Sequence, residues 1–218
     1  MSTKENNILK IRRTMAALGK NNINAYFAES HEEAAALIES MVPTGSIISC
    51  GGSVTLSESG VLALMKSGKY HFLDRSGANT PEEVSKIYAA AHNCDVYFTS
   101  ANAITENGEL YNVDGNGNRT AAIIHGPKKI LVIAGINKIV RDLDAAVYRV
   151  KTVAAPCNGK RLGTNTPCAL TGICAGVGGS MTDGCAASGR MCAHYLVSAY
   201  QRVKGRITVI FLNEELGY

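Results

Sequence analysis

The sequence has no tryptophan, few aromatic residues and no apolar run long enough to cross a bilayer. The longest apolar stretches, such as Ile130 to Ala134, are of strand length, whereas a spanning helix needs about 20 residues. The amino terminus, MSTKENNILKIRR, is polar and lacks the apolar centre of a secretory leader, so a soluble cytoplasmic protein is expected, with no membrane partner. The excess of positive charge is only +4, and the basic pairs Arg12-Arg13, Lys128-Lys129 and Lys160-Arg161 are scattered with no aromatics between them. Nucleic-acid surfaces concentrate cations on one stripe, so no nucleic acid is expected as a partner. No G-x-G-x-x-G fingerprint follows a strand, which removes an NAD-type site. The five histidines show no paired metal spacing, and no internal repeat or low-complexity linker divides the chain.

What is present is an alternation of helical and strand-like segments. With 46% apolar and 18% charged residues over 218 positions, the chain can bury a sizeable core as one domain. Helical spacing runs from Asn7 to Lys20, from Ser30 to Met41, through Leu56 to Met65, from Thr80 and from Arg141 to Thr152. Ser30 with Glu33, and Thr80 with Pro81, Glu82 and Glu83, are helix starts. Strands are expected at 25–28, 46–50, 70–73, 95–99, 130–134 and 206–212. This order implies an α/β fold with a largely parallel sheet flanked by helices. The expected organisation is a main α/β unit at 1–153, an irregular cysteine-rich region at 154–205 and a terminal strand at 206–218.

The most informative stretch is Thr99 to Val140. Asn107-Gly108 between two half-apolar runs predicts a two-residue hairpin turn with both residues at positive φ. Asp114-Gly115-Asn116-Gly117-Asn118 then turns the chain into a helix beginning near Asn118 or Arg119. Polar side chains and free N–H groups gather where strands of an open α/β sheet end, which is where ligands bind. Gly51, Gly52 and Ser53 follow a buried strand in the same way and are candidates to cradle an anion, with a tight strand-to-helix turn as the equal alternative.

Arg119 and Lys138 are the cations expected to hold a carboxylate or phosphate there, with Asn102, Gly115, Gly117, Asn118 and Asn137 around it. On this reading Arg119→Ala abolishes anion binding with little change in melting temperature. Glu106 and Asp114 are the acids with a catalytic setting, although a solvated turn acid is the competing reading for Glu106. Cys168, Cys174, Cys185 and Cys192 follow the spacing C-x5-C-x10-C-x6-C. Four thiols so close in a cytosolic chain suggest ligands for an iron–sulfur cluster or zinc, although neither a zinc-ribbon pair nor a ferredoxin run is present. Redox-active thiols and unligated structural cysteines stay open beside that reading. Cys50, Cys94 and Cys157 read as small core residues.

Several pieces together carry a resemblance: GGSVTLSESG, NAITENGELYNVDGNGNR, GPKKILVIAGINKIV, AAPCNGKRLGTNTPCALTGIC and the closing NEELGY. They resemble the LUD-domain family (lactate-utilisation type, DUF162), and they span nearly the whole chain. The resemblance implies a fold related to the ribose-5-phosphate isomerase and CoA-transferase group. It also implies a place in the oxidation of a small hydroxy acid such as lactate, alongside iron–sulfur partner proteins, with room for a homodimer. The family's short form ends TPC-x2-TG-x-C-x2-C-x6-C. Here the middle gap holds ten residues, including GVGGSMTDG, while Cys185 to Cys192 keeps the spacing and its arginine. The related isomerases tend to carry an aspartate where this chain has Asn102, and an amide cannot act as a general base. The alternative is a non-catalytic ligand-binding or regulatory module on the same fold, with a structural zinc clamp.

Overall fold

The structure, a computed structural model, describes residues 2–218. In chain order its first half comprises α1 (Thr3–Lys20), β1 (Asn24–Ala28), α2 (His31–Met41), β2 (Ile47–Cys50), the short helices α3 (Val54–Glu58) and α4 (Val61–Met65), β3 (His71–Leu73), α5 (Pro81–Ala91) and β4 (Val96–Thr99). Then come β5 (Ala103–Thr105), β6 (Leu110–Asp114), α6 (Asn118–Ile124), β7 (Lys129–Gly135), β8 (Ile139–Val140), α7 (Leu143–Arg149), α8 (Ala155–Leu162), α9 (Pro167–Thr171), β9 (His194–Ser198) and β10 (Ile207–Leu212). Helix starts follow the sequence chemistry. The Ser30 and Thr80 hydroxyls accept from the backbone N–H of Glu33 and Glu83, each at 3.2 Å. None of the helices is long and apolar enough to cross a membrane among the described residues.

Six strands form one parallel sheet in the order β1-β10-β7-β4-β2-β3. The last strand in sequence is inserted between β1 and β7 rather than added at an edge. Its residues ITVIFL are buried throughout, so neither face can go to water. Along β10, Ile207, Val209 and Phe211 point into one core layer while Ile210 and Leu212 enter the other; β7 divides in the same way. From β2 the chain moves outward to β3, then returns over β2 to β4 and proceeds the other way to β7. That reversal opens a crevice between the carboxyl ends of β2 and β4.

A smaller sheet, ordered β8-β5-β6-β9, stands against this crevice. The β5–β6 hairpin is antiparallel, but its turn differs from expectation. Thr105 N–H donates to the Glu109 carbonyl and Gly108 N–H to the Thr105 carbonyl, both at 2.9 Å, so three residues form the loop. Only Gly108 has a positive φ, +84°, and a Cβ there would lie 2.6 Å from the backbone of Ala17. The left-handed position of a three-residue loop and close packing on α1 both call for this glycine.

The region 154–205 is also more ordered than expected. Helices α7 and α8 are one continuous helix from Leu143 to Leu162, joined by a π-helical segment at Val150–Ala154. Pro156 lacks an N–H and crowds the preceding turn, and the wider π turn accommodates it. A boundary at 153 therefore falls inside a helix. β9 pairs along the whole of β6, from Leu110 opposite Ser198 to Asp114 opposite His194. Cys94 is buried and Cys50 packs at the edge of a core cluster, but Cys157 is exposed on α8.

Candidate functional site

The crevice at the strand ends is a cleft of about 520 Å³. Gly51, Gly52 and Ser53 line one side, Thr99 to Asn102 the floor, and Asp114, Gly115, Asn116, Asn118 and Arg119 the other side. Helix α8 adds Asn158 and Arg161, and the segment Ser188–Cys192 and Tyr218 close the rest. Side chains crowd both glycines, Gly51 mildly and Gly52 by the movable end of an arginine. A Cβ at Gly51 would stand 3.2 Å from the Tyr97 hydroxyl, and one at Gly52 would stand 2.6 Å from the Arg75 guanidinium. The Ser53 hydroxyl is used locally, accepting from Leu56 N–H at 3.3 Å.

Of the cations that border the cleft, Arg75, Arg161 and Lys138 stand apart from its one carboxylate, Asp114, which Arg119 neutralises. Arg119 Nε donates to Asp114 Oδ1 at 2.9 Å, and Nη1 donates to the Ser100 carbonyl and Asn112 Oδ1 at 3.1 and 3.0 Å. Its Nη2 donates to Asn102 Oδ1 and the Val113 carbonyl at 2.8 and 2.9 Å. Asp114 Oδ2 accepts Thr120 N–H at 2.7 Å, which fixes the start of α6. Arg119, Asp114 and Asn102 thus form a closed network that holds the wall of the cleft in shape.

Lys138 is the opposite case. It is 1% exposed, and among the described residues its amine donates to a main-chain oxygen of Tyr218. Burial, reinforced by the Arg149 and Arg119 guanidiniums, pushes its pKa down to about 7. Ser100 also borders the cleft; its hydroxyl is buried and has no hydrogen-bond partner among the described residues.

The closing residues 213–218 form a strap whose last residue, Tyr218, reaches the cleft. Asn137 Oδ1 accepts Leu216 N–H at 3.2 Å, and its amide donates to the Gly217 carbonyl at 3.0 Å. Thr55 Oγ1 donates to the Leu216 carbonyl at 3.2 Å, and Glu58 accepts Gly217 N–H at 2.5 Å. At the far end the Tyr218 hydroxyl receives Arg161 Nε at 2.5 Å and donates to Asn158 Oδ1 at 3.2 Å. Asn137 therefore holds the strap rather than lining the cleft. Gly117 begins α6 at φ +75° with the His194 ring against it, also outside the lining. Glu106 sits at the hairpin tip, paired with Lys10 and Arg13 at 3.9 and 3.6 Å, away from the cleft.

Cys168, Cys174, Cys185 and Cys192 all border one small cavity of about 20 Å³, where a single water needs about 10–15 Å³. Burial, then the nearby thiols of Cys174 and Cys168, raise the Cys192 pKa to about 11. Among the described residues no three His, Cys, Asp or Glu side chains gather as ligands of a single metal ion. Arg190, Met191 and Cys192 border this cavity and the cleft alike, so one layer of residues separates the two. Arg190 ties that layer, donating to the carbonyls of Cys192, Cys185 and Thr182 at 2.9, 3.0 and 2.7 Å.

The LUD domain matches residues 11–212. The chain belongs to the LUD-domain family. A crystal structure of a DUF162-family protein from Deinococcus radiodurans is similar at 10% identity and a TM-score of 0.45, over 98% of this chain and 100% of that one. The eIF2B delta structure from Chaetomium thermophilum is similar at 21% identity and a TM-score of 0.32, over 50% of this chain and 48% of that one. No curated protein matches significantly.

Sequence reasoning missed several residues of the LUD-domain cleft. Arg75 follows β3, the parallel neighbour of β2, and that adjacency was the available signal. Asn158 and Arg161 lie on α8, concealed by Pro156; Tyr218 reaches the cleft only through the strap. The inserted GVGGSMTDG packs on the π segment, where Lys151 Nζ donates to the carbonyls of Gly176 and Ser180 at 2.7 and 2.6 Å. Lys151→Met is expected to cost about 1–3 kcal/mol by leaving those carbonyls unpaired. Limited proteolysis should then cut first within 176–184, and a loop as resistant as the wild type's would remove this role from Lys151.

Proposed function

We propose that this LUD-domain protein is a subunit of a system oxidising a small hydroxy acid of the lactate class. The cleft binds the substrate anion, and the four cysteines hold an iron–sulfur cluster. The observation that carries the reading is the shared wall: Arg190, Met191 and Cys192 border both the cationic cleft and the cysteine cavity. Arg75 and Arg161 would receive a carboxylate, and the unpartnered Ser100 hydroxyl would bond a substrate oxygen. The four thiols border one cavity with no three on a common point, a spread that suits a cluster, whose irons each take one thiolate, more than one tetrahedral zinc, and the cavity would have to widen to admit it. When bound, such a cluster supplies an electron acceptor, which a chain without a dinucleotide fingerprint otherwise lacks. Iron–sulfur partner proteins would take the electrons onward.

One observation favours the ligand-binding module with structural zinc instead: Asp114, the cleft's carboxylate, is fully paired and leaves no free acid. Metal content separates the readings. Full-length protein purified without oxygen should contain iron and acid-labile sulfide and absorb broadly in the visible range. Cys174→Ser or Cys192→Ser should lower the iron content at least about tenfold, since even outer-shell changes cost that much metal affinity. Zinc alone would favour the binding module, and protein with neither metal would remove the cluster from the proposal. Lactate turnover with an artificial acceptor and the partner proteins tests the reaction itself.

A further inference from the structure

We propose that the cleft selects a hydroxy acid carrying several carboxylates, of the hydroxy-tricarboxylate class, over a monocarboxylate such as lactate itself. The inference rests on the anion-binding reading of the cleft but not on the oxidation reaction or the cluster. Arg75, Arg119, Lys138, Arg161 and Arg190 are the cations that border the cleft, against one carboxylate side chain, Asp114. Arg119 is paired with Asp114, and Lys138 is met by a main-chain oxygen of Tyr218. Arg75, Arg161 and Arg190 belong to none of the ion pairs among the described residues. Two further acids, Glu58 and Asp183, are engaged with Gly217 N–H and Ser180 N–H, and neither borders the cleft. Three guanidinium charges thus face the cleft without an anion.

Those charges enter from separate walls: Arg75 from the turn after β3, Arg161 from α8 and Arg190 from the segment before β9. Arg75 donates through Nη1 to the Tyr88 hydroxyl, while its Nη2 stands 2.6 Å from where a Gly52 Cβ would lie. Arg161 donates through Nε and Nη2 to Tyr218 and Asn158, which leaves Nη1 to a ligand. Arg190 bonds only neutral oxygens, so it contributes an uncompensated charge more than free donors. A phosphate ester concentrates two charges on one group, whereas carboxylates spread along a carbon chain match cations on separate walls. Size agrees. The cleft of about 520 Å³ lies within the range of about 300–1,000 Å³ that encloses drug-sized ligands, and a lactate ion would leave most of it to water. On the floor, the Ser100 hydroxyl is in a residue 7% exposed and has no partner, so it supplies a donor for a ligand oxygen.

The test is calorimetry of the full-length protein with lactate, malate, citrate and 3-phosphoglycerate, at constant ionic strength and about pH 8, where every carboxylate is ionised. Affinity should rise about tenfold with each added carboxylate, from lactate to malate to citrate, since one hydrogen bond to a charged group contributes at least that much. Arg75→Gln and Arg161→Gln change exposed side chains, and each should narrow the citrate-to-lactate ratio about tenfold. Citrate bound no more tightly than lactate overturns the proposal and leaves the anion cleft standing. A citrate preference that both variants keep overturns it as well, because its cause then lies outside these arginines. Tighter binding of 3-phosphoglycerate than of citrate replaces it with a phosphate ester. If none of the four binds, the proposal falls together with the anion-binding reading. Tight citrate binding by protein that turns over no hydroxy acid supports the proposal and counts against the oxidation reading.

Discussion

Arg119→Ala is expected to collapse one wall of the cleft rather than merely weaken a ligand, lowering stability by about 3–5 kcal/mol in urea unfolding. The guanidinium is mostly buried and its donors reach Asp114, Ser100, Asn112, Asn102 and Val113. Removing it leaves the buried Asp114 carboxylate with Thr120 N–H but no cation, while Asn102 Oδ1 keeps Val113 N–H and the Ser100 carbonyl keeps Thr99 Oγ1, so the uncompensated charge dominates the cost. Asp114→Asn should cost less, because an amide still accepts from Thr120 N–H and leaves no stranded anion. The double variant should fall well short of additivity, since both residues act in one network. A loss of oxalate binding with stability changed by less than about 1 kcal/mol would return Arg119 to the role of ligand-binding cation, which the sequence alone suggested.

That contrast shows what could be read from the chain. The position of Arg119 was legible: an Asp-Gly-Asn-Gly-Asn turn must end a strand and start a helix, and Arg119 is the second residue of α6. Its task was not, because five acceptors converge on it from residues up to 19 positions away, and local pattern carries no record of that convergence. The parallel sheet was legible from strand–helix alternation, and the apolar run ITVIFL marked a strand buried on both faces. Its insertion between β1 and β7 is a matter of topology that no local signal encodes. Glu106 misled because hairpin tips and crevices share turn chemistry. This tip points to α1, and its glycine packs on the Ala17 backbone. Spacing brought the four cysteines together on paper, and the fold places all four around one cavity. The closeness of that cavity to the cleft depends on the π segment, whose Val150 borders both.

The strap gives the second large effect. Gly135→Ala is expected to cost about 1–3 kcal/mol and to release residues 213–218 from the cleft. Gly135 has φ −80° and ψ 164°, ordinary extended angles, so an alanine there is not strained by its backbone. Space decides the outcome. A Cβ would lie 2.3 Å from the Glu214 carbonyl oxygen, 2.7 Å from Leu216 N and 2.7 Å from Asn137 Oδ1. Two of those atoms are strap backbone and the third is its clasp, so relief must come from moving the strap. Once the Asn137 contacts to Leu216 and Gly217 part, Thr55 and Glu58 are the remaining holds on the strap's backbone, and Tyr218 sits less firmly on Lys138 and Arg161. A ligand that competes with Tyr218 for those two cations would then bind the variant several-fold more tightly, because the closed form no longer subtracts from its affinity. Hydrogen exchange should show Leu216 and Gly217 unprotected while β10 stays protected, and calorimetry with oxalate should show the gain. Faster exchange with weaker oxalate binding would instead make the strap a wall that the anion site needs.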